Sequence, residues 1–226
     1  MLSAVIPTLN AVEELTSTLS ALRRGRGADL LAEVIVADGG SSDGTVDLAL
    51  EAGCRVAAAP RGRGAQLRVG GDAALGDWLL FLHADTRLDD KWSEDAASFM
   101  ADPANGERAA VFAFKLDDTR LEARVLERIV AVRTRLLALP YGDQGLLLSR
   151  DFYRRLGGYR AMPLMEDVDM VRRIGRRRLH PLRSAAVTSA ARYRRDGYVW
   201  RSLRNLGCLA LYTLGVPPRL LARLYG

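Results

Sequence analysis

Cysteine is nearly absent from this chain. Only Cys54 and Cys208 occur among 226 residues, far apart in sequence, which excludes a disulfide framework and the paired spacing of a zinc site. Lysine is as scarce: Lys91 and Lys115 are the only ones among 33 basic residues, and the others are arginine. Long apolar runs are missing too. The longest, residues 206–216, falls short of the about 20 residues that cross a bilayer. Residues 1–7 have no basic leader and run straight into a strand pattern, so no signal peptide is read, and a reducing, cytoplasmic compartment is expected. There are no repeats, no low-complexity segment and no linker long enough to separate a second domain from the first.

What is present is a chain 49% hydrophobic and 27% charged, enough for one globular domain with a sizeable core. Its net charge of +6 rests on arginine, whose planar fork suits phosphate and carboxylate. The balance favours an anionic partner: nucleotide phosphates, a membrane surface or nucleic acid.

The N-terminal half alternates strand and helix. Strands are read at 2–6, 33–37, 54–58 and 78–82, and helices at 12–22, 45–53 and 62–75. The first helix is expected to end at Gly25 and Gly27. Such alternation argues for parallel βαβ units, whose right-handed crossovers put the loops after the strands on one edge. Thr8, Asp38, the 60–64 loop and Asp85 then share a rim, which is where open α/β sheets bind ligands. Further on, a strand is read at 109–116, a long helix at 119–138, a turn at 140–145 and a short strand at 146–148. Two more helices follow, at 167–174 and 198–214, and then a basic apolar tail.

Trp78-Leu79-Leu80-Phe81-Leu82 ends abruptly in His83-Ala84-Asp85-Thr86. A buried parallel strand carries its chemistry at its C-terminal end, so Asp85 would emerge where a metal ion and a phosphate can reach it. The other reading makes Asp85 the cap of a helix starting near residues 88–91. Asp38-Gly39-Gly40-Ser41-Ser42-Asp43-Gly44-Thr45 follows a strand and opens a helix, so backbone amides can approach a ligand closely. No lysine follows the glycines as in a phosphate loop, and Gly62-Arg63-Gly64 lacks the third glycine of a dinucleotide fingerprint. Asp38 can accept from a base N–H or a ribose hydroxyl, or serve only as a turn residue.

Four segments occur in order: Ile6-Pro7-Thr8-Leu9-Asn10, the Asp38 loop, Phe81-Leu82-His83-Ala84-Asp85-Thr86, and Glu166-Asp167. Together they resemble family 2 of the GT-A glycosyltransferases over about residues 1–175. Gly-Arg-Gly-Ala-Gln at 62–66, Tyr-Gly-Asp-Gln-Gly at 141–145 and Gly-Gly-Tyr at 157–159 are similar to a small bacterial subgroup associated with radical-SAM and selenodomain proteins. The resemblance implies a Rossmann-like α/β fold with a mostly parallel central sheet flanked by helices. It implies an inverting transfer from a nucleoside-diphosphate sugar to an acceptor that the sequence does not name.

By the same resemblance, Pro7, Thr8, Asn10, Asp38 and Gly39 would lie against the base or ribose. Arg61 and Arg63 would add phosphate contacts or else form a basic surface loop, Gln66 and Ala84 would lie near the donor, and His83 would do so or be a satisfied structural residue. Asp85 would meet a divalent metal, manganese or magnesium, on the diphosphate. His83 stands where the family usually has a first aspartate; a histidine can ligate manganese or bond a ribose hydroxyl. Asp167 would be the base, with Glu166 as its neighbour or substitute. Without the resemblance, Glu166, Asp167 and Asp169 read rather as an acidic first turn favoured by the helix dipole. Asp143 and Gln144 are expected against donor sugar or acceptor, or as turn residues. Arg192, Arg194, Arg195, Tyr193 and Tyr198 form a basic aromatic cluster, and no Gln-x-x-Arg-Trp motif is found there, so a single transfer is expected.

One catalytic domain over 1–226 is expected, with a nucleotide half at 1–87, an acceptor half at 88–195 and C-terminal helices at 196–226. No nucleic-acid partner is expected. The stretch 203–224 reads as a helix packed on the domain or on a second copy, or as one lying on the inner membrane's acidic surface. Two other functions compete: a nucleotidyltransferase, whose glycine-rich loop after the first strand is missing, and a non-catalytic nucleotide-binding protein on the same scaffold.

Overall fold

The computed structural model describes residues 1–24, 27–137, 140 and 142–225. Gly25, Ala138 and Tyr141, expected at two helix ends and in a turn, lie outside the described residues. The first half alternates as expected but for a short helix, α2, that opens at Gly27 where an end was read: β1 (Leu2–Thr8), α1 (Val12–Leu22), α2 (Gly27–Leu30), β2 (Leu31–Asp38), α3 (Thr45–Glu51), β3 (Arg55–Ala58), α4 (Arg63–Ala73) and β4 (Trp78–Phe81). The second half comprises β5 (Thr86–Leu88), α5 (Trp92–Ala101), β6 (Ala109–Leu116), α6 (Leu121–Leu137), β7 (Leu146–Ser149), α7 (Arg150–Arg155), α8 (Glu166–Ile174), β8 (Leu179–Thr188), α9 (Ala191–Asp196), α10 (Tyr198–Thr213) and α11 (Pro218–Tyr225). The boundary expected between residues 87 and 88 falls inside β5.

All eight strands join one sheet in the order β3-β2-β1-β4-β7-β6-β8-β5. The pairs β1–β2, β2–β3, β1–β4 and β6–β8 are parallel, while β7 and β5 run against their neighbours. Because β7 is reversed, its first residue, Leu146, lies beside Phe81, the last residue of β4. The turn before β7 and the loop after β4 therefore open on the same rim.

Side chains alternate across the sheet with the strand's period of two. Leu2, Ala4 and Ile6 of β1 join Leu15, Leu19, Leu22, Trp92 and Phe99 on one face. Val5 joins Ile35, Leu67, Leu79, Phe81, Tyr153 and Met170 on the other. Helix α4 lies close on this second face because its interior contains Gly70. A Cβ there would stand 2.4 Å from Val5 Cγ1. Glycine costs a helix interior about 1 kcal/mol, offset here by contact of backbone with sheet. Pro7 lies beyond the last β1–β4 pair, Val5 with Phe81, so its missing N–H removes no bond to β4.

Candidate active site

The rim formed by β1 and β2 is braced by its own side chains. The Asp38 carboxylate accepts from Thr8 Oγ1 at 3.0 Å, Ser41 Oγ at 2.5 Å, Gly40 N at 2.9 Å and Ser41 N at 2.8 Å. Burial pushes its pKa up, but the donors from Ser41, Gly40 and Thr8 outweigh this and hold it below the usual value. Asn10, in the left-handed region at φ 51°, receives Ser42 N on Oδ1 at 2.9 Å and gives its own N–H to Ser41 Oγ at 2.8 Å. Gln66 is buried and donates its amide to Thr8 O at 2.5 Å and Ala37 O at 3.1 Å. Gly39 N donates to Thr8 O at 2.9 Å.

This corner holds most of the residues expected at the nucleotide. Pro7, Thr8, Asn10, Asp38, Gly39 and Gln66 gather at one rim, yet none of them lines the cavity. With four donors the Asp38 carboxylate is saturated, so a ligand would have to displace one of them. Gln66 is a brace between strand ends. Arg61 is exposed on the loop ahead of α4 and outside the cavity lining.

A cavity of about 300 Å³ opens where β4 ends, lined by Arg63, His83, Asp85, Gly142, Asp143 and Asp167 among others. Asp85 is not a helix cap: the chain runs on into β5, and α5 begins only at Trp92 with Lys91 at its N-cap. Its backbone carbonyl accepts Ser189 N at 3.2 Å, which ties the loop after β4 to the end of β8. Ala84 faces the core, and its carbonyl accepts Thr18 Oγ1 at 2.6 Å, so it too is a brace, outside the cavity.

Asp167 enters from the first turn of α8. Its Oδ2 accepts Gly142 N at 2.8 Å and its Oδ1 accepts Val168 N at 2.7 Å, which fixes the carboxylate. Gly142 also meets His83: a Cβ on it would stand 2.6 Å from His83 Nε2, so glycine is what lets the turn come this close. Burial pushes the His83 pKa down to about 3, Arg63 and Arg192 add to this, and Asp167 opposes them; the ring is a neutral imidazole.

Glu166 and Gln144 are turned away from the cavity. Glu166 is fully buried and paired with Arg63 Nε; burial pushes its pKa up and the guanidinium opposes. The base role expected for the pair 166–167 therefore has one candidate in reach of the cavity, Asp167. Gln144 accepts Thr134 Oγ1 at 2.9 Å and donates to Phe112 O at 3.0 Å, so it braces β6 to α6. Asp143 does line the cavity, and its Oδ1 is buried with no hydrogen-bond partner.

Several lining residues were not expected. Arg192 and Tyr193 belong to the basic aromatic cluster, which the sequence marked without giving it a role. Arg201 and Asn205 of α10 and Thr188 and Ser189 at the end of β8 carried no signal of their own. Among the described residues no three His, Cys, Asp or Glu side chains are grouped to hold a metal ion by themselves. A divalent ion carried on a diphosphate needs only one or two carboxylates, and Asp85 beside a neutral imidazole fits that smaller donor set. The cavity thus brings together two carboxylates, Asp85 and the oriented Asp167, and two guanidinium groups, Arg63, whose Nε is paired with Glu166, and Arg192.

The family model described as Glycosyl transferase family 2 matches residues 3–157. No curated protein matches the chain. Among solved structures, S. aureus TarS 1-349 in complex with UDP-GlcNAc superposes with a TM-score of 0.63 at 16% identity, covering 83% of this chain and 58% of that one. The mannosyltransferase PcManGT from Pyrobaculum calidifontis, in complex with GDP-Man and Mn2+, gives 0.67 at 18% identity, covering 99% of this chain and 67% of that one. Glucosyl-3-phosphoglycerate synthase from Mycobacterium tuberculosis, with Mn2+ and UDP-glucose, gives 0.58 at 20% identity over 84% of this chain and 69% of that one. The chain thus spans 58% of the TarS chain, and at these identities the likeness is one of fold.

Proposed function

The chain belongs to glycosyl transferase family 2 and has the GT-A fold, and on that premise we propose that it moves a sugar from a nucleoside-diphosphate sugar to an acceptor hydroxyl, with inversion. One observation carries the reading: Asp85, from the loop after β4, and Asp167, from the first turn of α8, face the same cavity of about 300 Å³.

Asp167 takes the acceptor's proton as the acceptor oxygen bonds to the anomeric carbon. The bond from that carbon to the diphosphate breaks on the opposite side, and the diphosphate leaves with the electron pair. A single displacement of this kind inverts the centre. Gly142 N–H holds the Asp167 carboxylate in place for the transfer. Arg63 and Arg192 face the growing negative charge. Asp85 would hold manganese or magnesium, which when bound supplies positive charge against the leaving diphosphate. The nucleoside end is assigned to the rim of Pro7, Thr8, Asn10, Asp38, Gly39 and Arg61, chiefly through backbone groups. Asp143, which lines the cavity, is assigned to a sugar hydroxyl. The reading divides the chain as 1–87 for the donor, 88–195 for the acceptor and 196–226 as C-terminal helices. The relatives with UDP-sugar, GDP-Man and Mn2+ support the donor class and the ion.

Calorimetry with UDP and GDP, with and without manganese, tests the assignment together with turnover of the matching sugar nucleotides. Asp85→Ala is expected to abolish metal-dependent binding. Asp167→Asn is expected to keep it while slowing transfer by a factor on the order of 10² to 10⁴. Manganese-dependent binding unchanged in the first variant, or turnover retained in the second, would refute the corresponding role.

A further inference from the structure

Helix α10 has two unlike sides. Arg201 and Asn205 face the cavity. The opposite side exposes Val199 (72%), Trp200 (68%), Leu203 (56%) and Leu206 (60%), and no exposed position from 199 to 211 is charged. The arginines within the helix are turned inward, where Asp196 Oδ2 accepts Arg201 at 2.8 Å and Arg204 at 3.4 Å. Helix α6, which touches α10, repeats the pattern. Its buried side, Ala123, Leu126 and Val130, packs against Phe114 and Leu116. Leu121 (76%), Val125 (46%), Ile129 (59%) and Val132 (55%), spaced as one helical stripe, are left uncovered. Two adjoining helices with uncovered apolar stripes are more than scattered surface leucines, and mark a docking face.

The charge around this face selects the occupant. Residues 190–226 contain seven arginines and one acidic residue, Asp196, which is already engaged by Arg195, Arg201 and Arg204. Arg194 and Arg195 of α9, paired with Asp118 and Asp196, and Arg219 and Arg223 of α11 are exposed, and α6 adds exposed Arg128 against one exposed acidic residue, Glu122. Two copies meeting face to face would bring arginine against arginine, since a two-fold contact uses the same patch twice. An anionic bilayer offers the complement: acyl chains for the leucines and tryptophan, and headgroup phosphates for the arginines. We propose that α10 and α6 dock this protein onto an anionic lipid bilayer, with the cavity held about one helix diameter, on the order of 10 Å, from the headgroups.

Sedimentation of the full chain with vesicles tests this, using phosphatidylcholine alone and phosphatidylcholine mixed with phosphatidylglycerol. The protein is expected to pellet with the mixed vesicles only, and to be released by added salt. The double variant Leu203→Glu, Leu206→Glu changes exposed residues and should melt as the wild type does. Its partitioning should fall by a factor on the order of ten or more. Failure to pellet, equal pelleting with pure phosphatidylcholine, or undiminished binding by the variant overturns the proposal. So does sedimentation equilibrium that shows a dimer dissolved by the same substitutions, because a second copy would then be the occupant.

Discussion

Burial pushes the Asp143 carboxyl up to about 6; Asp167 and Asp85 push the same way, and Arg133 and Arg63 oppose them. Its native pKa thus lies above the unfolded value, and the folded state holds the proton more tightly. Stability then falls as pH rises from about 4 to about 6 and stays reduced above that. Asp143→Asn removes the buried charge without changing the shape. In chelator at pH 7 the variant should be more stable than wild type by up to about 3 kcal/mol, and the difference should vanish below about pH 4. Urea melts across that range are the measurement, and a destabilised variant at pH 7 would contradict the placement of this carboxyl. Legibility in the sequence was uneven among these residues. Asp85 could be found because an apolar strand ends just before it. The choice between Glu166 and Asp167 could not be made from adjacency. It depends on the first turn of α8, entered through Met165 at φ 66°, which buries Glu166 against Arg63 and leaves Asp167 at the cavity. For Asp38, a polar residue at a strand end was legible, but not the four donors that fill it.

Helix α4 shows what a strand–helix contact demands. Gly70→Ala would force a methyl to within 2.4 Å of Val5 Cγ1, and Val5 is fully buried. Overpacking of this kind costs about 1–3 kcal/mol, more than the helix propensity regained. A thermal melt should therefore show Gly70→Ala destabilised, and adding Val5→Ala should cost less than the two separate losses combined. Additive losses would mean that α4 stands further from β1 than this contact requires. The elements of the first half were legible because strand and helix alternate with clean periods. In the second half β5, α7, β8 and α9 were not assigned, and α5 was read only as a possible helix starting near residues 88–91. In α5 the buried Trp92, Ala96 and Phe99 do keep helical spacing, but the polar stretch before them hid the start. In β8 the alternation breaks where His180 and Pro181 are both exposed and Ser184, Ala185 and Ala186 all buried, and the ladder with β6 is irregular between Val111 and Ala113. With β8 unassigned, nothing pointed to Thr188 or Ser189.

For the whole molecule the telling feature is where the sheet changes direction. β4 pairs with β1 on one side and with the reversed β7 on the other, and Leu79 and Leu80 within it are fully buried. A fragment of residues 1–107 would leave one edge of β4 bare and take β5 from β8, while residues 108–226 would lack the other side of the same joints. Each piece alone is expected to remain unfolded by circular dichroism and protease sensitivity, and the two expressed together should recover the fold. A cooperative melt of residues 1–107 on their own would contradict this. The one-domain organisation was read from composition and from the lack of a linker. The division at residue 87 was placed by motif, and a motif carries no knowledge of β5's partner.

That change of direction also governs how the protein can vary. Since the loop holding Asp85 and the turn holding Gly142 and Asp143 meet only because β7 enters where β4 leaves, neither can lengthen by a residue toward the other without breaking the bond from Gly142 to Asp167. Lengthening is expected instead at the far end of these strands, in the turn before β6, where Asp102, Pro103, Ala104 and Glu107 are exposed and outside the cavity lining. The two ends of one sheet thus carry opposite freedoms, one for novelty and one for fidelity.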